Sequence, residues 1–180
     1  MDPIAHIIAL LDAHGANQYG NEAVTQRAHA LQCATLAEAA GARDSLIVGA
    51  LLHDLGHLLD KHAEVGRRQP VDRQHEEIGG GWVARHFVPE VAAMVRLHVP
   101  AKRWLCAAEP GYGDTLSPAS VRSLGLQGGP FTPDEAAAFR ALPNAADAIA
   151  VRRWDDLAKV PDKATPPIEH FLPALRACLL

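Results

Sequence analysis

A histidine–aspartate pair placed directly after an apolar run is the first feature of the sequence that could do chemistry. Residues 49–52 are apolar and lead into His53 and Asp54, and a third possible ligand, His57, follows. Burying a histidine and a carboxylate among leucines costs free energy unless a partner neutralises them. A divalent metal does so well, because neutral imidazole and carboxylate are both good ligands. Taken alone, the pair fits better a helix end with a capping carboxylate and a packed histidine.

Further donors recur around this pair at intervals that fit a helical bundle. The intervals from His29 to His53, from Asp54 to His75 and from His75 to His98 are 24, 21 and 23 residues, about one helix and its connection. Bundles build metal sites from one ligand on each successive helix, and a late aspartate beside Val151 and Trp154 closes the set. The first two histidines with both aspartates suffice for one metal. All six donors suit two metals bridged by the aspartate of the pair: His29, His53, Asp54, His75, His98 and Asp155.

The composition favours a helical protein that carries these ligands in one domain. Of the 180 residues, 48% are apolar and only 5% are aromatic, a balance more typical of helices than of a sandwich or barrel. No alternating pattern of strand length stands out. We therefore expect an all-α chain with a single domain over residues 1–180 and a dinuclear metal site in its core.

Charge and hydropathy exclude several classes of protein. The net charge is −4 with no block of lysine and arginine, so nucleic acid is not an expected partner. The longest apolar runs are broken by His53 or by charges, so no membrane span is expected. The amino terminus has no basic region, which predicts no signal peptide and a cytoplasmic protein. An odd number of cysteines without CxxC spacing indicates reduced thiols: Cys33, Cys106 and Cys178.

Helix-start and helix-stop residues predict which elements position the ligands. Asp2-Pro3 begins a first helix that ends at Gly15, and Thr132 begins a later one with a capping box. Pro100 is predicted to interrupt the helix that carries His98, and residues 59–74 are predicted to form an exposed loop. The other predicted helices cover about 22–40, 44–54, a segment from 75, a segment from 89, 118–126, a segment from 144, and a C-terminal helix over 168–180.

The order of ligands from His29 to Asp155 resembles the HD-domain superfamily, which is named for a pair such as His53-Asp54. Most members are metal-dependent phosphohydrolases, in which two metals clamp phosphoryl oxygens and activate a water. The resemblance implies an HD-type helical bundle. It leaves open a two-metal phosphohydrolase acting on a phosphomonoester or nucleotide, and a non-catalytic HD-type ligand sensor.

Other residues resemble a narrower group, the phosphonate-cleaving HD-domain oxygenases. The resemblance covers roughly residues 19–158, and lysine, serine, arginine and Gln-Gly-Gly-Pro in this order are not general to the superfamily. Two departures concern the substrate more than the metals: Asn21 stands between Gly20 and Glu22, and the 59–74 segment has no clear counterpart. The matching blocks are Tyr19 to Glu22, Gln26, His29, Leu52 to His57, Gln74 to Glu76, His98 to Arg103, Leu116 to Ser120, Gln127 to Pro130 and Val151 to Asp155.

This narrower resemblance implies a mixed-valent di-iron dioxygenase of organophosphonate catabolism. With O2 it would cleave the C–P bond of a 1-hydroxy-2-aminoethylphosphonate, with a free or N-trimethylated amine, to a carboxylate (glycine or betaine) and inorganic phosphate. Two iron ions, Fe2+/Fe3+, would be held by the six ligands with Asp54 bridging. Tyr19 and Glu22 would be catalytic residues on the segment that closes over the site and meets the amino end of the substrate, with Tyr19 protecting the reduced metal. The residues implied for substrate binding are Glu22, His57, Lys102, Ser120 and Arg152.

The residue types agree with this chemistry, although each has a simpler interpretation. A phosphonate dianion needs cations and hydrogen-bond donors, which lysine, arginine, histidine and serine supply. Lys102 could be half of a solvated basic pair with Arg103, and Arg152 could be a surface partner of Asp155 or Asp156. His and Asp ligands suit several transition metals, so the ligand types leave the metal open. The expected partner is a small hydroxyphosphonate, and the expected assembly is a monomer or a small homo-oligomer.

Overall fold

The computed structural model describes residues 2–19, 22–60 and 74–180, and these residues form a helical bundle. The all-α prediction is therefore confirmed. Two short 3₁₀ segments, Tyr112–Thr115 and Ile168–Phe171, accompany the α-helices. In chain order the α-helices are α1 (Pro3–His14), α2 (Gln26–Ala39), α3 (Asp44–Leu52), α4 (Leu55–Leu59), α5 (His75–Val83), α6 (Pro89–Ala108), α7 (Pro118–Leu126), α8 (Pro133–Arg140), α9 (Ala145–Leu157) and α10 (Leu172–Ala177).

Local capping explains where several of these helices begin. The Asp2 side chain accepts a hydrogen bond from the backbone N–H of Ile4 at 2.9 Å, and Ser117 does the same for Ser120 at 3.1 Å. Thr132 and Glu135 form the predicted capping box. Such caps satisfy N–H groups that have no partner within the helix, so these starts were predictable from the sequence.

Three predicted helix boundaries were wrong. The second helix begins at Gln26 rather than near residue 22, because the side chain of Thr25 caps it. Pro100 lies inside α6 without ending it; the helix loses one N–H donor there but is held by packing against α3, α5 and α9. The C-terminal 168–180 segment is not one helix: a 3₁₀ turn precedes α10, which ends at Ala177.

The long helix α6 organises the packing. It contacts α5, α9 and α3, while α2 packs against α3 and α9. The core between them is apolar and closely packed, with Val48, Met94 and Val151 fully buried. Helices α2, α3, α6 and α9 thereby pack around a shared buried core.

A close helix approach explains the glycine that follows the His-Asp pair. A Cβ atom built on Gly56 would lie 1.9 Å from the carbonyl oxygen of His75. Because no side chain fits there, α4 can pack against the start of α5 only with glycine at this position. Gly56 therefore brings the Asp54 turn beside His75.

The predictions on the 59–74 loop, on membrane spans and on the cysteines have the following outcomes. Most of the predicted 59–74 loop, residues 61–73, lies outside the described residues, as do Gly20 and Asn21. Among the helices of the described residues, none is long and apolar enough to cross a membrane. Cys33, Cys106 and Cys178 are free thiols, as predicted.

Candidate metal centre

The structure brings all six predicted donors together in the core, from five different segments of the bundle. The two residues of the His-Asp pair lie in the turn between α3 and α4, where His53 is the C-cap residue of α3 and Asp54 is the N-cap residue of α4. The remaining donors come from α2, from the first residue of α5, from the middle of α6 and from α9: His29, His75, His98 and Asp155. All are buried, so their polar atoms face one another rather than solvent.

Asp54 divides the donors into two groups, one at each of its carboxylate oxygens. Its Oδ2 lies 3.3 Å from Nε2 of His53 and 3.6 Å from Nε2 of His29. Its Oδ1 lies 3.2 Å from Nε2 of His75 and 3.3 Å from Nε2 of His98. A carboxylate with a pair of imidazoles at each oxygen is the arrangement that a bridging ligand between two metals requires.

Asp155 belongs to the first of these groups. Its Oδ1 lies 3.5 Å from Nε2 of His29, and its Oδ2 lies 4.0 Å from Nε2 of His53. Cys33 was not predicted as a ligand. Its Sγ lies 3.8 Å from Nε2 of His29, and it could hold a metal ion together with His29 and His53. Its position four residues after His29, one helical turn along α2, was the signal that could have found it.

Backbone carbonyls fix which ring nitrogen of each histidine faces inward. Nδ1 of His29 lies 2.9 Å from the Ala158 carbonyl oxygen, Nδ1 of His53 lies 2.8 Å from that of Ala50, and Nδ1 of His98 lies 2.7 Å from that of Val95. A carbonyl only accepts hydrogen bonds, so each Nδ1 carries the hydrogen and each neutral ring presents its Nε2 lone pair to the centre. This is the usual orientation of metal-binding histidines.

The facing atoms are nearly all acceptors, which is why a cation fits between them. Nε2 of His29 lies 3.2 Å from Nε2 of His53, and Nε2 of His75 lies 3.0 Å from Nε2 of His98. Two buried carboxylate oxygens, Oδ2 of Asp54 and Oδ1 of Asp155, accept no hydrogen bond within the described part of the chain. Converging lone pairs and unsatisfied buried oxygens are costly unless a positive charge binds among them.

The pKa values of His29 and His53 reflect both burial and the negative charge of the nearby carboxylates. Burial lowers the pKa of His29 to about 4. Burial also opposes protonation of His53, yet the Asp54 carboxylate raises the pKa of His53 to about 9. In the metal-free site a proton on His53 therefore supplies the missing charge, and metal binding releases such a proton.

Two aromatic rings cover the donor cluster. The Tyr19 ring stacks on His29 with centroids 3.9 Å apart, and the His57 ring stacks on His75 at 4.0 Å. Burial, with the negative charges of Asp155 and Asp54, raises the pKa of the Tyr19 phenol well above its ordinary value. Tyr19 therefore stays protonated and limits access of water to this side of the centre.

A cationic cluster next to the donors contains the residues predicted for phosphonate binding. Lys102, Ser120 and Arg152 are all buried, so the interpretation of Lys102 and Arg152 as solvated surface charges was wrong. Nη2 of Arg152 lies 3.5 Å from Oγ of Ser120, and Nζ of Lys102 donates to Ser123 at 2.7 Å. Buried cations beside the hydroxyl-rich start of α7 form a site suited to an anion.

Arg152 is anchored by Asp155 and Asp156, the two partners that the sequence suggested for it, and by Tyr112, which was not predicted. Its Nη1 donates to Asp155 at 2.6 Å, and its guanidinium makes a two-pronged contact with Asp156. The Tyr112 hydroxyl also donates to Asp156. Although burial opposes it, the Arg152 charge holds the pKa of Asp155 below its ordinary value. Asp156 lies four residues after Arg152, a spacing that predicts such a pair on a helix.

Glu22 lies at the edge of this cluster and contacts a further residue that was missed, Lys159. The Glu22 carboxylate accepts a hydrogen bond from the Ser117 hydroxyl and lies 3.6 Å from Nζ of Lys159. The same Nζ donates to Oγ of Ser120 at 3.0 Å. Lys159 follows Asp155 by four residues, but it lies beyond the end of α9, so helical spacing gave no firm reason to select it.

Comparison with known proteins gives the following similarities. The family model described as HD domain matches residues 27–159. The chain is 42% identical over 173 residues, 96% of its length and 88% of the relative's, to a [1-hydroxy-2-(trimethylamino)ethyl]phosphonate dioxygenase (glycine-betaine-forming) of Leisingera caerulea. It is 41% identical over 177 residues, 98% of its length and 88% of the relative's, to a hydroxymethylphosphonate dioxygenase of Gimesia maris. An uncharacterized protein of Acanthamoeba polyphaga mimivirus is 30% identical over 167 residues, 92% of this chain and 76% of the relative.

Proposed function

Because this chain belongs to the HD-domain family, and within it to the group of phosphonate dioxygenases, we propose that it cleaves the C–P bond of a 1-hydroxyalkylphosphonate with O2. The products would be a carboxylic acid and inorganic phosphate. The observation that supports this most directly is the position of Asp54, whose two oxygens each face a pair of imidazole nitrogens. That arrangement accommodates two metal ions beside a cationic pocket.

We infer that the two metals are iron. A C–P bond does not hydrolyse readily, so its cleavage requires oxidation at carbon, and a bound iron pair would supply the redox chemistry with O2. Nitrogen and carboxylate oxygen donors suit iron. The residues that would hold it are His29, His53, Asp54, His75, His98 and Asp155.

The protein's own contribution would be to bind, orient and enclose the substrate. Lys102, Ser120 and Arg152 would hold the phosphonate oxygens, and His57, whose ring stacks on His75, would contact the substrate from the metal side. Tyr19 and Glu22 would close the site from the segment before α2, where the Tyr19 ring already covers His29. Anchoring the phosphonate in this way fixes the neighbouring carbon beside the metals, which lowers the entropic cost of the reaction.

Oxygen dependence tests this function directly. The purified protein is loaded with ferrous iron without air, mixed with hydroxymethylphosphonate or 2-amino-1-hydroxyethylphosphonate, and then given O2. We expect phosphate release with matching O2 consumption. Phosphate release from these compounds or from phosphomonoesters without O2 would instead identify a phosphohydrolase, and ligand binding without turnover of either class would identify a sensor.

The charge of Lys102 predicts how substrate affinity depends on pH. Burial and the nearby Arg152 charge lower the pKa of Lys102 to about 8, so the side chain is a cation below that pH and loses its proton above it. Loss of this charge should therefore weaken phosphonate affinity above about pH 8, by up to about tenfold per pH unit for one linked proton. Calorimetric titration of the metal-loaded protein with hydroxymethylphosphonate, without O2, measures this.

Lys102→Arg is the matched comparison for this pH profile. Arginine stays charged throughout the accessible range, so the weakening above pH 8 should disappear in the variant. The same profile in both proteins would show that another group titrates and that Lys102 does not bind the anion.

Tyr19→Phe tests the proposed shielding of the metals. Phenylalanine keeps the ring that stacks on His29 but removes the hydroxyl near the carboxylates. We expect unchanged iron content and a several-fold faster loss of activity when the loaded enzyme stands in air. Iron analysis and residual activity at timed intervals measure the two quantities. Equal inactivation rates in variant and wild type would remove this role for the hydroxyl.

A further inference from the structure

Lys159 is a largely buried cation that lies between Glu22 and Ser120 in the proposed substrate pocket. Its side chain is 12% exposed and that of Glu22 is 14% exposed, and Nζ of Lys159 lies 3.6 Å from Oε1 of Glu22. The same nitrogen donates to Oγ of Ser120 at 3.0 Å and lies 3.8 Å from Asp155 and 3.7 Å from Asp156. Lys159 therefore faces both the proposed phosphonate position and the carboxylate of Glu22.

Glu22 is the carboxylate of this pocket that a positively charged substrate group could reach. Asp156 is held by Arg152 and Tyr112. Glu22 instead contacts Ser117, one helical turn before Ser120 on α7, so it lies next to the phosphonate position. Nζ of Lys159 lies beside Glu22, so a cationic substituent on the substrate's carbon chain would compete with Lys159 for this carboxylate.

We propose that Lys159 determines specificity by competing with a cationic substituent of the substrate for Glu22, and so sets the preference between amine-bearing and amine-free hydroxyphosphonates. The inference rests on the proposed function, because it assumes that a phosphonate binds beside Ser120. A neutral side chain in place of Lys159 leaves the Glu22 carboxylate without its cation, and a substrate ammonium then gains a charge-assisted hydrogen bond. Loss of the Lys159 contact to Ser120 weakens both substrate classes equally, so it cancels in their ratio.

The test compares two substrates in Lys159→Met and wild type. The measured quantity is kcat/KM for 2-amino-1-hydroxyethylphosphonate divided by kcat/KM for hydroxymethylphosphonate. We expect this ratio to rise about tenfold or more in Lys159→Met, the effect of one gained hydrogen bond to a charged group. Lys159→Arg keeps the charge and should keep the ratio within about threefold of wild type. Lys163→Met, at an exposed position of the same segment, should leave the ratio unchanged.

A second variant tests Glu22 as the site of competition. In Glu22→Gln the ratio should fall, and adding Lys159→Met to it should no longer raise the ratio, because the anion for which both cations compete is gone. A ratio that stays within about threefold of wild type in Lys159→Met, or that rises equally without Glu22, would overturn the proposal.

Binding without turnover separates this proposal from the proposed function. Calorimetric titration of the metal-loaded variants with both compounds in the absence of O2 gives the same ratio as dissociation constants. If neither compound is oxidised but the binding ratio shifts in Lys159→Met, the proposed reaction fails and the role of Lys159 stands. If both are oxidised and neither ratio shifts, the reaction stands and the role of Lys159 fails.

Discussion

Asp54→Asn should reduce the metal content of the protein from two ions to one or fewer and lower O2-dependent phosphate release by roughly 10³-fold or more. Within residues 2–19, 22–60 and 74–180, Asp54 is the one residue whose oxygens face both imidazole groups. An amide offers one neutral oxygen in place of two charged ones, so it cannot neutralise two adjacent cations. A metal ion contributes several kcal/mol of charge stabilisation, and each 1.36 kcal/mol corresponds to a tenfold change in rate.

Metal analysis after anaerobic loading with ferrous iron, together with the rate of phosphate release, measures both effects. Asp134→Asn is the matched control, because Asp134 is exposed in the first turn of α8, and it should retain both metals and full activity. An Asp54→Asn protein that still binds two ions and turns over normally would contradict the assignment of Asp54 as the bridging ligand.

Arg152→Met should destabilise the metal-free protein by about 3–5 kcal/mol, the usual cost of removing one partner from a buried ion pair. The Arg152 side chain is 4% exposed and its partner Asp155 is 1% exposed. Methionine fills a similar volume but leaves Asp155 and Asp156 without their shared cation. The variant should also bind phosphonates weakly, because the cationic pocket loses the guanidinium beside Ser120.

Urea unfolding of the metal-free protein measures this loss of free energy, and Arg153→Met provides the comparison. Arg153 is the next residue on α9, but its side chain is 47% exposed and pairs with Glu109, which is 42% exposed. Surface pairs of this kind contribute about 1 kcal/mol or less. Equal destabilisation by the two substitutions would mean that Arg152 is not held in a buried charge network.

The six residues that meet in the core could be predicted because the prediction depends on residue types and on helix length. The histidine–aspartate pair indicates metal chemistry only together with the other donors, and histidines one helix apart converge when the helices pack side by side. Caps such as Asp2 and Thr132 act within a few residues, so the corresponding helix starts were also predictable. The resemblance to phosphonate-cleaving HD-domain oxygenases is confirmed by the two dioxygenase relatives.

Predictions failed where packing outweighed a local signal. A proline normally ends a helix, but α6 continues through Pro100 and packs against α3, α5 and α9. The C-terminal segment has an apolar helix pattern, yet Leu172 begins a new helix after a 3₁₀ turn. Such outcomes depend on contacts with residues far away in the sequence.

The amino-acid order alone was enough to predict the helical architecture and the metal-binding residue types, because these follow from short-range spacing and side-chain chemistry. The residues of the cationic pocket were implied by the resemblance to phosphonate-cleaving HD-domain oxygenases. The amino-acid order was not enough to show that each oxygen of Asp54 faces its own pair of imidazoles, or that Lys159 meets Glu22. Those contacts join α2, the α3–α4 turn, α5, α6 and the end of α9. Their distances are set by how the helices pack, and helix packing is a property of the whole core rather than of any one segment.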